Sequence, residues 1–573
     1  MMNKAFLWAT LCLVALTACQ PTGADEEVAD TILQNGNIYT ANDEQPTAQA
    51  IAIKGDKILA IGSNEDVATF TGEETETIDL EGQFVMPGFI EGHGHFQGVG
   101  RMAMNLNFLR SDSWDDIVAE VAKAAEEAEP GEWIIGRGWH QEKWRETPDR
   151  NVLGYPYHDD LSEVSPLNPV LLRHASGHAL FANAKAMQMA GITAETPNPV
   201  GGEIVRDSRG NPIGVFEENA EGLIDRVYNA FMMRRPKEAN VRDWMRANRL
   251  AQDECLRKGI TSFQDAGSSY TDIERFNRLA ENDSLDVRLY VMLRHGYDRM
   301  NGNLDGFPIV NAGNNAFTCR AIKAAVDGAL GSYGAWLLEP YEDKTDFSGQ
   351  NTTSVEELTN IAQLCIENDM QYCVHAIGDR ANREVLDIFE AQFAAHPDKE
   401  NLRWRIEHSQ HLHPDDIPRF AEMGVIAAMQ AIHCTSDAPF VVKRLGEKRA
   451  KEGAYVWKSL LESGAVVTNG TDAPVEDVDP IESFYATVTR KRIDNGFEFF
   501  PEQALSREEA IKSYTLANAY AAFEEDIKGS LEPGKLADLV VLSQDLINCT
   551  EEEILETEVL KTMVGGTFKY EKE

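Results

Sequence analysis

Eight short apolar runs, separated by segments with helical periodicity, constrain the fold of this chain more than any other feature. In order, they lie within the segments "FVMPGFIEGHGH", "GITSFQDAG", "DVRLYVMLRHG", "CRAIKAAVDG", "QYCVHAIGD", "RWRIEHSQ", "GVIAAMQ" and "AVVTNGTD". Each run has about four to eight residues, which is typical of strands buried on both faces. Eight such strands that alternate with helices predict an α/β fold, the (β/α)₈ or TIM barrel, with its active site at the carboxyl ends of the strands.

The two ends of the chain differ from this middle part. "TILQNGNIYT", "AQAIAIKGDKILAIGS" and "TETIDLEGQFVM" are alternating runs broken by turns, the pattern of β-hairpins, and similar strands return only in "GKLADLVVLSQD" and "VLKTMVGGTFKYE". We expect residues 31–86 and 526–573 to form one small β domain and residues 87–525 to form the barrel. The interval from about 108 to 250 is too long for one connection and predicts an inserted α/β subdomain after the first barrel strand.

The first residues resemble a targeting segment. "MMNKAFLWATLCLVALTAC" has one lysine and then an apolar stretch shorter than the ~20 residues of a membrane span. Its last four residues resemble the lipobox of bacterial lipoproteins, which predicts a signal peptide over 1–18, lipidation of Cys19 and a polar tether over 19–30. Gln20 after the cysteine suggests sorting to the periplasmic face of the outer membrane. A plain secretory signal, cut elsewhere, is the alternative.

The formal net charge of the chain is -41 at pH 7. Such a charge repels nucleic acids and anionic membrane surfaces. We therefore expect no nucleic-acid partner, and contact with a membrane only through the lipid anchor. The expected substrate is a neutral or cationic small molecule. The oligomeric state is left open.

Two histidines, His93 and His95, end the first apolar run. Side chains two residues apart on a strand point to the same face and lie about 7 Å apart. Two imidazoles so placed can bind one metal ion, whereas a polar turn that ends the strand is the alternative reading.

Further candidate ligands end later strands. His375, His408 and Asp472 close the fifth, sixth and eighth runs, and Lys323 lies in the apolar fourth run, where a free ammonium group would be costly. Each alone could be a structural residue, and Lys323 could pair with Asp327. Together with the first two histidines they follow the strand order, which predicts a metal site at the mouth of the barrel.

Eight blocks of the sequence carry a resemblance to a known family. They are "MPGFIEGHGH", "SGHALFANAKAM", "GGEIVRDSRGNPIGVFEENA", "KAAVDGALGS", "HAIGDRAN", "RIEHSQ", "NGTDAPVEDVDP" and "GSLEPGKLADLVVL". In this order they resemble the amidohydrolase superfamily, and within it the amidohydrolase-3 group of N-substituted formamide deformylase-like proteins. The resemblance covers nearly the whole chain after the signal segment. It implies a barrel with a composite β-sandwich and one or two divalent metal ions, usually zinc.

The same resemblance implies roles for the candidate ligands. His93 and His95 would bind one metal ion, and His375 and His408 would bind the other. Asp472 would contact the first ion and act as the catalytic base toward the attacking water. Lys323, carboxylated by carbon dioxide, would bridge both ions. A carbamate forms from a neutral amine, and burial and adjacent cations both lower the pKa of a lysine from ~10.4.

Three further residues are candidates for substrate contact. His178 lies in the block "SGHALFANAKAM" and could reach over the barrel mouth, although a capping or core role is equally open. His433 follows the seventh strand, at the end of the barrel where the active site is expected. Tyr333 stands where relatives often carry arginine, so its presence would shift the substrate preference away from anions.

These observations predict a metal-dependent amidohydrolase. It would cleave a carbon–nitrogen bond, other than a peptide bond, in a small molecule such as an N-substituted amide or formamide, by attack of metal-bound hydroxide. A deaminase, an imidopeptidase or a lactone hydrolase on the same barrel is the alternative, because a fold does not fix the substrate. A non-catalytic binding lipoprotein is a third reading, and the intact set of six ligands argues against it.

Overall fold

The computed structural model describes residues 28–572. The predicted signal peptide, Cys19 and most of the tether therefore lie outside the described residues. Among the residues that are described, no helix has the length and apolar character needed to cross a membrane.

Eight parallel strands in chain order form the centre of the molecule. We call them barrel strands 1 to 8: Phe89–Gly94, Ile260–Ser268, Arg288–Leu293, Phe317–Ala325, Gln371–Ala376, Arg405–His408, Ile426–Met429 and Val467–Asn469. Each pairs in parallel with the next. The short strand Ile309–Asn311 adds to barrel strand 4 in the antiparallel sense. The predicted barrel fold is confirmed.

Hydrogen bonds beyond the ends of barrel strands 1 and 8 bring these two strands together. The backbone N–H of Asp472 donates to the carbonyl of His93 at 2.7 Å, and that of His95 donates to the carbonyl of Ala473 at 2.6 Å. The side-chain amide of Asn518 bridges the two strands by donating to the carbonyls of Ile90 and Asn469 at 2.6 and 2.8 Å. These bonds place the first two histidines next to Asp472.

Helices cover the barrel and the domains beside it. Several begin at serine caps: the Ser269 and Ser354 side chains each accept a bond from the third residue of the helix that follows, which satisfies a free backbone N–H. The α-helices span Asn64–Ala68, Phe96–Met102, Trp114–Glu127, Asp159–Val164, Ala184–Ala190, Gly222–Arg234, Lys237–Arg257, Tyr270–Glu281, Tyr297–Met300, Val355–Glu367, Asp379–Ala395, Ile417–Met423, Ala431–Ser436, Ala438–Gly453, Trp457–Glu462, Pro480–Thr489, Arg507–Tyr514, Leu516–Ala521 and Glu551–Leu555. Ala312–Asn315 is a turn with left-handed backbone, and 3₁₀ turns span Asn219–Glu221, Pro414–Asp416 and Pro501–Gln503.

Both ends of the described chain build a second domain of two sheets. One sheet contains, in spatial order, Lys57–Gly62, Ala50–Lys54, Thr31–Gln34 and Glu76–Asp79. The other contains Thr567–Glu571, Val559–Val564, Leu539–Leu542, Phe84–Pro87, Asn37–Tyr39 and Thr47–Ala48. Their shared core joins residues of both ends, such as Leu33 and Ile51 with Leu539 and Met563.

The apolar run "FVMPGFI" consists of two strands in different sheets. Phe84–Pro87 belongs to the terminal domain and Phe89–Gly94 to the barrel. The chain crosses between them at Gly88, where a Cβ atom would lie 2.2 Å from a methyl group of Thr261. Only glycine allows this close approach.

An inserted sheet separates barrel strands 1 and 2. Its strands are, in spatial order, Gly202–Arg206, Pro212–Glu218, Ala179–Ala182, Val170–His174, Ile134–Trp139 and Leu106–Asn107. A hairpin of Asn151–Val152 and Tyr155–Pro156 lies beside it. Buried aromatic residues such as Trp139 and Phe181 fill its own core. The residue bounds that the sequence suggested for the domains stay predictions.

Candidate active site

A cavity of about 1000 Å³ opens at the carboxyl ends of the barrel strands. Its lining combines residues from the barrel with residues from the inserted sheet, such as Arg137 and His178. We call it the barrel cavity. Each sequence-predicted metal ligand lines it: His93, His95, Lys323, His375, His408 and Asp472.

His93 is fully buried on barrel strand 1 and is held by an ion pair beneath it. Its Nδ1 bonds the Glu407 carboxylate, which also contacts the guanidinium of Arg405 on the same strand. Burial, aided by the charge of Lys323, lowers the pKa of His93 to about 4. The imidazole is therefore neutral, and its Nε2 remains available to the cavity, which is how a carboxylate fixes a metal-binding histidine.

His95 lies just beyond the strand, where the helix Phe96–Met102 begins. Its side chain is 34% exposed, and its ring centroid lies 5.9 Å from that of His93. Its backbone is still extended, with φ −121° and ψ 90°. The two rings still face the same cavity.

His375 and His408, on barrel strands 5 and 6, lie with their ring centroids 4.4 Å apart. Gln430 fixes His408 through a contact of 2.7 Å between Nδ1 and its side-chain oxygen. Burial holds the pKa of both histidines well below the ordinary value, so both rings are neutral. Nε2 of His375 is buried and has no hydrogen-bond partner among residues 28–572.

Asp472 is the residue on which the histidines converge. Its carboxylate oxygens lie 3.2 Å from His95 Nε2, 3.6 Å from His93 Nε2 and 3.8 Å from His433 Nε2. Burial alone would raise the pKa of Asp472, but the nearby imidazoles of His433 and His95 hold it well below its usual range. The side chain is an ionised carboxylate at neutral pH.

Lys323 lies inside this cluster, with its Nζ 3.5 Å from Nε2 of His93. Burial lowers its pKa to about 8. The alternative partner, Asp327, instead accepts backbone N–H bonds of 2.8, 3.0 and 2.8 Å from Trp336, Ile377 and Gly378. The lysine is therefore not the hydrogen-bonded partner of Asp327.

The donor atoms fit a divalent metal ion. Two groups of three residues, His93 with His95 and Asp472, and His408 with His433 and Asp472, have ligand atoms within 4.8 Å of one another. Neutral imidazoles and a carboxylate are the donors that zinc and similar ions take in proteins. The unpartnered Nε2 of buried His375 is a further free donor, because buried polar atoms normally have a partner.

His433, a candidate substrate contact, lies beside Asp472 and 3.7 Å from the carboxylate of Glu476. Burial opposes its protonation, but Asp472, Glu476 and Asp437 raise its pKa to about 10. A protonated imidazole donates hydrogen bonds from both nitrogens. Its position thus favours a role as hydrogen-bond donor.

His178 reaches the barrel cavity from the inserted sheet, and its ring centroid lies 5.2 Å from that of His375. Its Nδ1 lies 2.8 Å from Oε2 of Glu218. Burial acts against protonation, but the charge of Glu218 raises the pKa of His178 above its usual value. The insertion thereby adds a carboxylate-supported imidazole to the barrel's own ligands.

Comparison with known proteins agrees with this geometry. A model of the amidohydrolase-3 group, described as "Amidohydrolase family", matches residues 76–570, most of the chain. The chain belongs to the amidohydrolase family. It is 32% identical over 557 residues to the protein LONG AFTER FAR-RED 3 of Arabidopsis thaliana, covering 95% of this chain and 92% of that protein. It is 28% identical over 567 residues to the N-substituted formamide deformylase of Arthrobacter pascens, covering 95% and 99%.

A solved structure supports the same assignment. The crystal structure of an uncharacterized metal-dependent hydrolase from Pyrococcus horikoshii superposes with a TM-score of 0.72 at 25% identity, covering 91% of this chain and 99% of that one. This amidohydrolase therefore shares its fold with a metal-dependent hydrolase, and it carries candidate histidine and aspartate ligands in its barrel cavity.

The structure does not bring Tyr333 of this amidohydrolase to the cavity lining. The ring is buried behind the wall, and its hydroxyl donates to Asp343 at 3.1 Å. The guanidinium carbon of Arg444 lies 4.0 Å from the ring centroid on its face. These neighbours occupy both the hydroxyl and the ring.

Sequence reasoning missed the residues that orient the ligands. Glu407 carried a signal, since a strand with arginine and glutamate two residues apart in an apolar setting predicts a buried pair on one face. Gln430 and Glu218 carried no such local signal. Their role depends on contacts with His408, 22 residues away, and His178, 40 residues away.

Proposed function

We propose that this amidohydrolase hydrolyses a carbon–nitrogen bond, other than a peptide bond, in a small N-substituted amide or formamide. The observation that carries the proposal is the ionised carboxylate of Asp472, surrounded by His93, His95 and His433 in the barrel cavity. The N-substituted formamide deformylase, similar over nearly the whole chain, supports the choice of bond.

The chain offers ligands for one or two divalent ions, which we propose to be zinc. His93, His95 and Asp472 would hold one ion. His375 and His408 would hold a second, with Lys323 as a carboxylated bridge. When bound, such an ion supplies Lewis acidity and lowers the pKa of a coordinated water.

The protein's own groups would then move one proton. Asp472 accepts the proton of the attacking water as the new carbon–oxygen bond forms. It returns this proton to the amide nitrogen as the carbon–nitrogen bond breaks, because an amine leaves poorly unless it is protonated. The products are a carboxylic acid and a free amine, so atoms and charge balance.

Two imidazoles are placed to stabilise the negative charge that develops on the carbonyl oxygen. His433 is protonated at neutral pH and lies next to Asp472. His178 is held by Glu218 and lines the same cavity. We propose that one or both donate a hydrogen bond to the carbonyl oxygen, as a fixed donor does in an oxyanion hole.

The experiment is a screen with the purified protein truncated to residues 20–573. The panel contains N-substituted formamides, N-acyl amines, imides, lactones and aminopurines. We expect amides or formamides to be hydrolysed, and the Asp472→Asn variant to lose about 10²-fold or more of the rate, the range of general acid–base catalysis. Asp415→Asn changes an exposed carboxylate, 86% accessible, in the same way and serves as the control.

Each other outcome counts against the proposal. Turnover of lactones, imides or aminopurines alone would replace it by one of the alternative reactions. Binding of panel compounds without turnover would indicate a non-catalytic protein. Full activity of Asp472→Asn would show that Asp472 does not carry the proton.

For location, we propose a bacterial cell envelope protein held by lipid on Cys19. The apolar segment, the lipobox-like residues 16–19 and the polar tether support this. Firm anchoring needs several acyl chains, and a bacterial lipoprotein carries several. The charge of -41 supports the absence of a nucleic-acid partner.

A further inference from the structure

The barrel cavity has an unusual excess of cations for such an acidic chain. Over the whole sequence, 94 aspartate and glutamate residues face 53 lysine and arginine residues. Arginines nevertheless line the barrel cavity in number: Arg101, Arg137, Arg173, Arg235, Arg275 and Arg294. With so many acids available, an arginine in this cavity that has no acidic partner requires a reason.

Some of these arginines have carboxylate partners. Arg173 lies 2.9 Å from Glu221, and Arg235 lies 2.8 Å from Asp243. Their charges are compensated within the protein. Arg173 and Arg235 therefore serve as a reference for arginines whose charge no carboxylate compensates.

Arg294 has no such partner. Within residues 28–572, no carboxylate lies within 4.0 Å of its guanidinium, and the side chain makes no hydrogen bond. Among the described residues, Arg101 and Arg137 also lack an acidic partner. The guanidinium of Arg137 already donates to the carbonyls of Pro474 and Ala175 at 3.0 and 2.9 Å, and Arg101 lies near the end of the helix Phe96–Met102 rather than at the end of a barrel strand. Arg294 keeps all five of its N–H donors free.

The backbone holds Arg294 in place at the catalytic end of the barrel. It follows barrel strand 3 directly, and its N–H donates to the carbonyl of Ser268 at 2.9 Å. Its stem crosses Gly267, where a Cβ atom would lie 2.8 Å from Cδ of Arg294 and the φ angle is +135°. The glycine leaves room for the arginine to cross into the cavity, where its side chain is exposed.

We propose that Arg294 binds a carboxylate on the substrate, so that the preferred amides carry a negative charge. This deepens the proposed function and rests on it. A planar guanidinium with free parallel donors matches a carboxylate in a two-point contact. The expectation of a neutral or cationic substrate came from the net charge of the whole chain and from Tyr333. The net charge does not set the local field inside a cavity, and Tyr333 does not line this one. Arg294 adds an uncompensated positive charge to that field.

The experiment uses matched pairs of N-formyl and N-acetyl amino acids and their C-terminal carboxamides. Members of a pair have nearly the same size and differ by one negative charge. Hydrolysis is measured as kcat/KM by release of the free amine, and binding is measured separately by calorimetric titration of the metal-loaded enzyme. The variants are Arg294→Gln, Arg294→Lys and, as the control, Arg235→Gln, which removes a paired charge from the same cavity.

We expect wild type to prefer the acids. Arg294→Gln should lower kcat/KM for the acids by about 10- to 100-fold, mainly through KM, the range for a hydrogen-bonded charged pair. The carboxamides should be nearly unaffected. Arg294→Lys should lie between, because it keeps the charge and loses the planar contact. Arg235→Gln should keep the wild-type preference. The ratio of kcat/KM for the acid to that for its carboxamide is taken within one variant. A partial loss of folded protein lowers both values equally and leaves this ratio unchanged.

Three results would overturn the inference: a wild-type preference for carboxamides, equal loss for acids and carboxamides in Arg294→Gln, or no binding of any acid. A carboxylate that binds only a metal ion would still bind Arg294→Gln with unchanged affinity, which also counts against it. If acids bind through Arg294 but no pair is hydrolysed, the inference stands and the proposed amide hydrolysis fails.

Discussion

Glu218 holds His178 over the barrel cavity through a contact of 2.8 Å between Oε2 and Nδ1. Glu218 adopts a strained backbone conformation, with φ 49° and ψ −128°. The loop opposite is shaped around its carboxylate, because Cβ atoms at Gly328 and Gly334 would lie 2.0 and 2.1 Å from Oε1. Such strain at the mouth of a cavity points to a positioning role for Glu218.

Replacing Glu218 by glutamine should therefore weaken catalysis and leave metal binding intact. The charge of Glu218 raises the pKa of His178 against the effect of burial, so its loss lowers that pKa. The activity should fall at high pH as His178 loses its proton. In Glu218→Gln, this fall in the pH profile of kcat should move to lower pH. We expect kcat to fall roughly tenfold, as for a lost charged hydrogen bond.

The test is the pH profile of kcat together with metal content. Glu203→Gln, at an exposed position of the same inserted sheet, is the control. A loss of rate with an unshifted profile, or a loss of metal, would show that Glu218 only supports the fold.

Glu407 should control metal affinity. It fixes His93 through Nδ1, and although burial opposes ionisation, Arg405 and His93 hold its pKa well below the usual range. Removing the carboxylate charge weakens the ligand, typically by about 10–100-fold in metal affinity. We expect Glu407→Gln to show this loss in competition with a chelator, and the exposed Glu367→Gln to match wild type. Equal affinity of both variants would contradict the orienting role.

Lys323 should decide between one and two metal ions. With a carboxylated bridge, Lys323→Ala should lower the bound metal from about two per chain toward one or none. The bridge forms from the neutral amine, and burial lowers the pKa of Lys323 to about 8, so its neutral fraction rises with pH. At equal concentrations of dissolved carbon dioxide, reloading of metal-free enzyme with zinc should thus be faster at about pH 9 than at about pH 6.5. One ion per chain in both wild type and variant would overturn the bridge.

Cys19 should carry the lipid anchor. Replacing it with serine should leave the protein either released or stalled with its signal segment, because no thiol remains for the acyl chains. Membrane fractionation and the mass of the amino terminus measure this. A variant that is processed and still sediments with membranes would contradict the lipoprotein reading.

The barrel and the meeting of most of the candidate ligands could be predicted because both depend on local pattern. His93, His375 and His408 each lie on a short apolar strand at its carboxyl end, and the carboxyl ends of parallel strands meet at one face. Once the eight runs are recognised, the meeting of these residues follows without any knowledge of the loops.

The residues that tune the site could not be predicted in this way. Glu218 comes from the insertion, and the free state of Arg294 follows only from the positions of all surrounding carboxylates. Tyr333 shows that a residue's place in the sequence does not fix the direction of its side chain. Its position, where relatives often carry arginine, suggested a substrate contact, yet its loop turns the ring toward Arg444 behind the cavity wall.

The central claim is that the cluster around Asp472 hydrolyses an amide with a bound metal ion. It is tested most directly by measuring metal content and amide hydrolysis together, on wild type as purified, after chelation and after reloading with zinc. We predict that hydrolysis is lost with the metal and returns in proportion to the metal rebound, and that His93→Ala neither rebinds metal fully nor regains activity. Undiminished hydrolysis by the metal-free protein would contradict the account.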